Sequence, residues 1–329
     1  MLKADWEKTG EIVSVGDDVI RAMAAEGVPG ANLASYDIIS GGCANLNVRL
    51  LFEGRDDPLI LRLYFRDAQA AARERALSKL VAPAVPAPAF LYVGEYDGRH
   101  FALAECIEGV TLRDVLLDKG EDPLCAVHDA GRICAALQRH RFATPGSFDA
   151  SLNVKPDKEP PDFVAFAEEC LAHPFVQKQF GAAKTRRLQR LMEENRALLP
   201  DNKQSFLVHG DYDPANILVR RDGAGWTVSG ILDWEFAFSG AWLWDVSNML
   251  RYAHLLPPTY EGAFLEGLRD GGAALPPDWR ITIRLMNVTS LLWCLLSGKD
   301  GNKPRQAADI CRLTDYIADW LERPRAAVQ

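Results

Sequence analysis

Histidine is scarce in this 329-residue chain: there are six, and only His209 lies near a group of carboxylates. A two-metal hydrolase, which draws on clustered His and Asp ligands, is poorly supplied by such a sequence. Cysteine is present but unorganised. Its seven positions (Cys43, Cys106, Cys125, Cys134, Cys170, Cys294 and Cys311) are odd in number and never in C-x-x-C spacing. That excludes a disulfide framework and a cysteine zinc site, and it points to reduced thiols in a cytoplasmic protein. An excess of positive charge is missing too. The net charge of −8 argues against a nucleic-acid surface and favours neutral or cationic small ligands. No repeat or low-complexity tract is visible. The longest apolar candidate, "VTSLLWCLLSG" at 288–298, is too short to span a membrane, and Arg280 and Arg284 precede it in the same helical pattern. It reads as a core helix, so no membrane partner is expected. The opening "MLKADWEKTGEIV" has no apolar centre, and no signal peptide is expected.

What remains is an ordinary globular composition, 48% hydrophobic and 25% charged, in a chain longer than one core usually holds. Two lobes are expected. A helix over 17–26 stops at Gly27 and Pro29, and strand-like runs follow at 34–40, 46–52 and 59–65. "AQAAARERALSKLV" (68–81) is helical by propensity and "APAVPAP" ends it. Two short strands, "FLYVGE" and "RHFALAE", bring the chain to Glu105. The rest is mainly helical, near 111–118, 125–140, 162–172, 183–198, 260–269, 278–297 and 306–322, with strands around 205–208, 216–220 and 226–232. The expectation is an α+β fold: a small sheet-rich lobe over 1–104, a connector over 105–110 and a helical lobe over 111–329. The cleft between two such lobes is the default ligand site.

The richest stretch is "FLVHGDYDPANILV", 206–219. Asp211 and Asn216 have the spacing of the protein-kinase catalytic loop, where the Asp accepts a hydroxyl proton and the Asn holds a metal. A carboxylate must reach the attacking hydroxyl, while an uncharged amide oxygen binds Mg²⁺ without adding repulsion beside a triphosphate. After 22 residues (233 − 211), "NILVRRDGAGWTVSGILDWEFA" reads as strand, Gly-rich hairpin, strand and then Asp233-Trp234-Glu235. Such a hairpin returns Asp233 to the side of Asn216 and supplies a second hard oxygen ligand.

On these residues, segment 206–250 resembles the aminoglycoside phosphotransferase/choline kinase superfamily, small-molecule kinases with a protein-kinase-like bilobal fold. The resemblance implies that Asp211 is the catalytic base, that Asn216 and Asp233 bind Mg²⁺, and that His209 supports or shares in catalysis. "WDVSNMLR" (244–251) resembles the family's segment after the metal ligand, which makes Asp245 a structural carboxylate holding the loop. In the first lobe, "SGGCANLNVRL" (40–50) takes the place of the phosphate-covering loop, so Gly41 and Gly42 are cofactor-binding candidates. "LILRLY" puts Arg62 where a phosphate-binding lysine is expected, with Ile60 on the same face as an adenine contact. Glu74 is the implied ion-pair partner of Arg62, and backbone around Glu105–Ile107 would bind adenine, with Glu105 and Ile107 as its markers. The implied activity is transfer of the γ-phosphate of ATP, with Mg²⁺, to a hydroxyl of a small molecule such as an aminoglycoside, an amino alcohol or a sugar.

Several positions carry two readings. His209 is a hydrogen-bonded structural residue or a catalytic acid; Asp213 and Glu235 touch a cationic substrate or are solvated; Glu74 is a site residue or a surface one amid Arg73, Arg75 and Lys79. Asn45 reads as a turn former. Trp242 and Trp244 pack the lobe or form an aromatic box. The competing functions are a non-catalytic nucleotide-binding pseudokinase and, less favoured, a metal-dependent phosphoesterase. Acceptor specificity would reside in 145–200 and 255–305, which carry no readable motif.

Overall fold

The computed structural model describes residues 2–7, 15–39, 45–155, 162–201, 203–223 and 225–324. The first lobe runs α1 (Asp17–Gly27), β1 (Leu33–Ile39), β2 (Asn45–Phe52), β3 (Leu59–Tyr64), α2 (Ala70–Val81), β4 (Phe90–Tyr96) and β5 (Arg99–Glu105). Its strands form one antiparallel sheet in the order β1-β2-β3-β5-β4. Alternation along β3 decides what each face does. Leu59, Leu61 and Leu63 are buried in one cluster with Ile20, Met23 and Ala24 of α1. The other face carries Ile60, Arg62 and Tyr64. Register places Ala104 opposite Ile60 and Ala102 opposite Arg62, and these small neighbours leave room on that face for a long side chain.

The second lobe opens with β6 (Val110–Thr111) and α3 (Leu112–Leu117), whose Thr111 hydroxyl accepts from Asp114 N at the helix N-terminus. It continues through α4 (Leu124–Leu137), β7 (Gly146–Ser147), α5 (Phe163–Ala172), α6 (Pro174–Glu194) and β8 (Phe206–Val208). Then come β9 (Ile217–Asp222), β10 (Gly225–Ile231), β11 (Phe238–Gly240), α7 (Leu243–Leu250), α8 (Pro258–Asp270), α9 (Trp279–Ser297) and α10 (Pro304–Leu321). Two small sheets, β10-β9-β6 and β7-β11-β8, lie among the helices. Helices α4 and α8 cross at glycines: a Cβ on Gly267 would lie 1.9 Å from His128 O, and one on Gly131 2.2 Å from Phe264 O. The architecture is α+β and bilobal, as expected.

Differences from the sequence reading are local. Helix α6 begins nine residues before the expected 183, because Gly181 (φ +74°, ψ 161°) interrupts the helix and the pattern on either side reads as two pieces. Helix α7 was not expected. Its Asp, Ser and Asn are poor helix formers, but every residue except Trp244 is buried, so packing outweighs propensity. Helix α9 is buried along most of its length, and among the described residues no helix is long and apolar enough to cross a membrane.

The lobes share a core. Leu77 and Val81 of α2, with Val85 beyond it, belong to the same apolar cluster as Ile217, Ile231 and Trp234. Pro86 O accepts from Ile231 N at 2.8 Å, and Glu108 O accepts from Ser229 Oγ at 2.8 Å. The two lobes are therefore held together by packing and by hydrogen bonds to main-chain carbonyls.

Candidate active site

The loop 209–216 leaves the end of β8 at Gly210, where φ is +88° and a Cβ would meet Phe236 O at 2.3 Å. Glycine is required there on both counts. The buried Asp245 carboxylate of α7 accepts from His209 N (2.8 Å) and Gly210 N (3.0 Å). Gly210 O in turn accepts from Trp244 Nε1 (3.0 Å) and Asn248 Nδ2 (2.8 Å). Trp244 also lies edge-on to Phe238, so it packs the lobe and ties the loop in place. Burial pushes the Asp245 carboxyl up to about 7, against the pull of its two N–H donors.

His209 is fully buried, and burial lowers its pKa, so the ring is neutral. Leu232 O can only accept, so Nε2 carries the proton in that 2.9 Å bond, and Nδ1 accepts from Asp211 N at 3.3 Å. Both ring nitrogens are engaged in joining the loop to the end of β10. Asn216 completes the arrangement. Its Nδ2 donates to Asp211 O and to Asp211 Oδ2, both at 2.9 Å, and its amide oxygen has no hydrogen-bond partner among the described residues. Asn216 O accepts from Leu232 N at 2.8 Å, which brings Asp233 to the neighbouring position, as antiparallel pairing of Ile217 with Ile231 requires.

Asp233 stands in the left-handed region (φ +67°), an uncommon conformation for a residue with a side chain. Its Oδ1 is 2.5 Å from Arg62 Nη2. The same guanidinium nitrogen lies 3.3 Å from Glu74 Oε1 and 3.7 Å from Glu235 Oε1. Glu74 is buried, not on the surface, and its Oε2 accepts from Tyr64 OH at 3.0 Å. Burial raises the Glu74 carboxyl; burial and the neighbouring Asp233 raise that of Glu235 to about 7. One guanidinium thus faces three carboxylates, an excess of negative charge that goes with the upward shifts of Glu74 and Glu235.

The donor set suits a hard divalent cation: an unpartnered amide oxygen on Asn216 beside a half-exposed carboxylate on Asp233. Among the described residues no group of three or more His, Cys, Asp or Glu side chains is arranged to hold a metal. Asn216 and Asp233 would therefore fill part of a coordination shell that phosphate and water complete, as Mg²⁺ prefers.

The remaining expected residues lie as follows. Ile60 is half-buried on the Arg62 face of β3. Glu105 is exposed at the end of β5, its N–H donating to Ala89 O at 2.8 Å. Ile107 packs over Gly230, where a Cβ would meet its Cδ1 at 2.7 Å. Gly41 and Gly42 lie outside the described residues. Among the described residues the polar partners of Glu235 come from the first lobe: Asn45 Nδ2 donates to Oε2 (3.0 Å), Arg73 Nη2 donates to its carbonyl (3.3 Å), and Arg62 lies beyond. Asn45, expected as a turn former, is instead the first residue of β2.

One residue that touches the catalytic loop escaped the sequence reading. Lys3 Nζ lies 2.8 Å from Asp211 Oδ1 and contacts Asp213 Oδ2. Burial disfavours its ammonium, yet Asp211 and Asp213 together raise its pKa, and in return Lys3 holds the Asp211 carboxyl below its ordinary value against the upward pull of burial. Asp213 is buried, with Oδ1 accepting from Ala215 N at 2.8 Å. A lone lysine 208 positions before its partner carries no local pattern from which this contact could be read.

Comparison with known proteins places the chain in a family and gives its fold neighbours. The family model described as "phosphotransferase enzyme family" matches residues 35–281, three quarters of the chain. No match to a curated protein reaches significance. Among solved structures, the chain is similar to a thermostable mutant of aminoglycoside phosphotransferase APH(4)-Ia in ternary complex with AMP-PNP and hygromycin B (TM-score 0.67, 19% identity, 91% of this chain and 97% of that one). It is also similar to macrolide 2'-phosphotransferase MphH from Brachybacterium faecium (TM-score 0.63, 16% identity, 91% and 98%). Spectinomycin phosphotransferase APH(9)-Ia in complex with ADP and spectinomycin gives a TM-score of 0.61 at 12% identity over 94% and 99%. At such identities the likeness speaks for the fold.

Proposed function

The chain belongs to the phosphotransferase enzyme family, and we propose that it transfers the γ-phosphate of ATP to a hydroxyl of a small molecule. The observation that carries this reading is the coupling of Asp211 to Asn216 at 2.9 Å, with His209 tying Asp211, and Leu232 N tying Asn216, to the strand end that presents Asp233 to Arg62. In this reading Asp211 orients the acceptor hydroxyl and takes its proton as the oxygen bonds to phosphorus and the bond to the ADP oxygen breaks. A loose transition state needs little more from a base than position. Asn216 and Asp233 would hold Mg²⁺, which when bound supplies positive charge to the phosphate oxygens.

Arg62, braced by Glu74, grips phosphate through two N–H groups where lysine would offer a point charge. Ile60 and the backbone of Glu105–Ile107 take the adenine side, and Gly41 and Gly42 the phosphate side. His209 is a positioning residue: its nitrogens are both used and its ring is neutral. The nucleotide bound in the APH(4)-Ia and APH(9)-Ia complexes supports an adenine nucleotide for this chain. The acceptors named for the structural neighbours are chemically diverse, and the class favoured here is a small polyhydroxyl or amino alcohol. The test is ADP release from Mg-ATP across a panel of alcohols, amino alcohols, sugars and amino sugars. Acceptor-dependent release is expected. Mg-ATP binding without release on any acceptor would favour a pseudokinase, and phosphate release from phosphomonoesters without ATP would favour a phosphoesterase.

A further inference from the structure

Residues 2–7 run from the catalytic loop, at Lys3, to the first turn of α10, at Glu7. Leu2 is buried in the apolar cluster that α5, α6, α9 and α10 build. Trp6 Nε1 donates to Asp309 Oδ2 at 2.8 Å. The Glu7 carboxylate accepts from Arg305 N (2.8 Å) and Gln306 N (3.0 Å), closing the first turn of α10. These anchors aim Lys3, whose side chain is only 15% exposed, between Asp211 and Asp213.

Its position bears directly on the reaction proposed above. Asp211 has two carboxylate oxygens. Oδ2 accepts from Asn216 Nδ2 at 2.9 Å. Oδ1 is the oxygen that Asn216 leaves open to an acceptor hydroxyl, and Oδ1 carries the Lys3 ammonium. We propose that Lys3 is a tethered competitor for the acceptor: residues 2–7 hold a cation in the acceptor's seat, and only a molecule able to displace it reaches the base.

A tethered group competes at an effective concentration in the millimolar range, so the contact need not be strong to exclude weak acceptors. Nor is it locked. Leu2 (φ +52°) and Lys3 (φ +58°) both stand in the left-handed region, a conformation that side chains other than glycine adopt at a cost. Release relieves that cost. Displacement also exposes two carboxylates to each other, so an acceptor bringing its own positive group beside the hydroxyl replaces the lost charge and a neutral one does not.

This inference rests on the phosphotransferase reading, and its test separates the two. In the full chain, Lys3→Met keeps the stem and removes the charge. The acceptor KM should fall by about three- to tenfold with kcat unchanged or higher, and acceptor-free ADP formation should rise. Trp6→Ala, which leaves the ammonium but loosens its anchor, should move both in the same direction by less. Amine acylation read by mass spectrometry should find Lys3 protected relative to the exposed Lys178, and Trp6→Ala should abolish that protection. A fall in kcat at unchanged KM in Lys3→Met would make Lys3 part of the catalytic machinery and overturn the competitor role. Equal acylation of Lys3 and Lys178 in the unaltered chain would overturn the docking itself. Protected Lys3 in a chain with no phosphotransfer in any variant would count against the kinase reading and, with it, this use of Lys3.

Discussion

The two sides of the cleft are held by different means. On the catalytic-loop side, main-chain groups of His209 and Gly210 are bound by Asp245, Trp244 and Asn248, and a neutral His209 ring links the loop to β10. On the side proposed for phosphate a single guanidinium, Arg62, is shared among Glu74, Asp233 and Glu235. Hydrogen bonds to backbone fix a geometry that does not depend on what is bound. A charge network that is short of positive charge is instead complete only with a cation present. In the proposed reading the loop side is a template, and the Arg62 side is a receptor for phosphate.

The sharpest way to separate these roles is to remove chemistry from the template while keeping its shape. Asp211→Asn retains size and the bond from Asn216, and should lower kcat by about 10²–10⁴-fold with little change in stability, read by steady-state kinetics beside urea unfolding. Next, Asp245→Ala leaves the N–H groups of His209 and Gly210 without their acceptor inside the fold. Loss of about 2–4 kcal/mol in urea unfolding is expected, with activity falling because the loop is no longer held. If stability were unchanged, the loop would not depend on α7 and the comparison would fail.

The receptor side should respond to charge rather than to shape. Arg62→Met should weaken ATP binding by about tenfold or more, whereas Arg62→Lys, which keeps the charge and loses the fork, should cost less. Calorimetric titration with ATP distinguishes them. The smallest effect concerns pH. Glu235 has an ordinary pKa of 4.5 and a folded value of about 7, so between these pH values the folded chain binds more protons than the unfolded one. Stability from this group is present below pH 4.5 and is lost as pH rises towards 7. Without nucleotide or metal, Glu235→Gln should therefore show a flatter decline of Tm between pH 5 and 8 than the unaltered chain.

The same contrast explains what could be read from the sequence. The template was legible because its parts are close along the chain: "HGDYDPAN", the hairpin to "LDWE" and "WDVSNM" all lie within 45 residues, 206–250. Local spacing and hairpin geometry suffice to bring them together. The five strands of the first lobe were legible for the same reason, each by its own alternation. The receptor was only half legible. Arg73 and Glu74 sit in a run of charges that reads as a solvated face, yet both are buried where α2 meets the Arg62 face of the sheet and the turn after β10. Strands β6, β7 and β11, of two or three residues, exist through their partners alone. Lys3 joins the site across 208 positions, through Leu2, Trp6 and Glu7 seated on helices that no local pattern connects to the N-terminal residues.

Asp233 belongs to both sides: its backbone follows the strand tied to the template, and its carboxylate enters the receptor. The most direct test is therefore calorimetric titration of the unaltered chain and of Asp233→Ala with ATP, each with and without Mg²⁺. The unaltered chain should bind ATP markedly more tightly with Mg²⁺ than without it, and Asp233→Ala should lose that difference while keeping its cooperative unfolding. Equal Mg²⁺ dependence in both chains would contradict a metal seat shared by Asn216 and Asp233, and with it the phosphotransfer geometry.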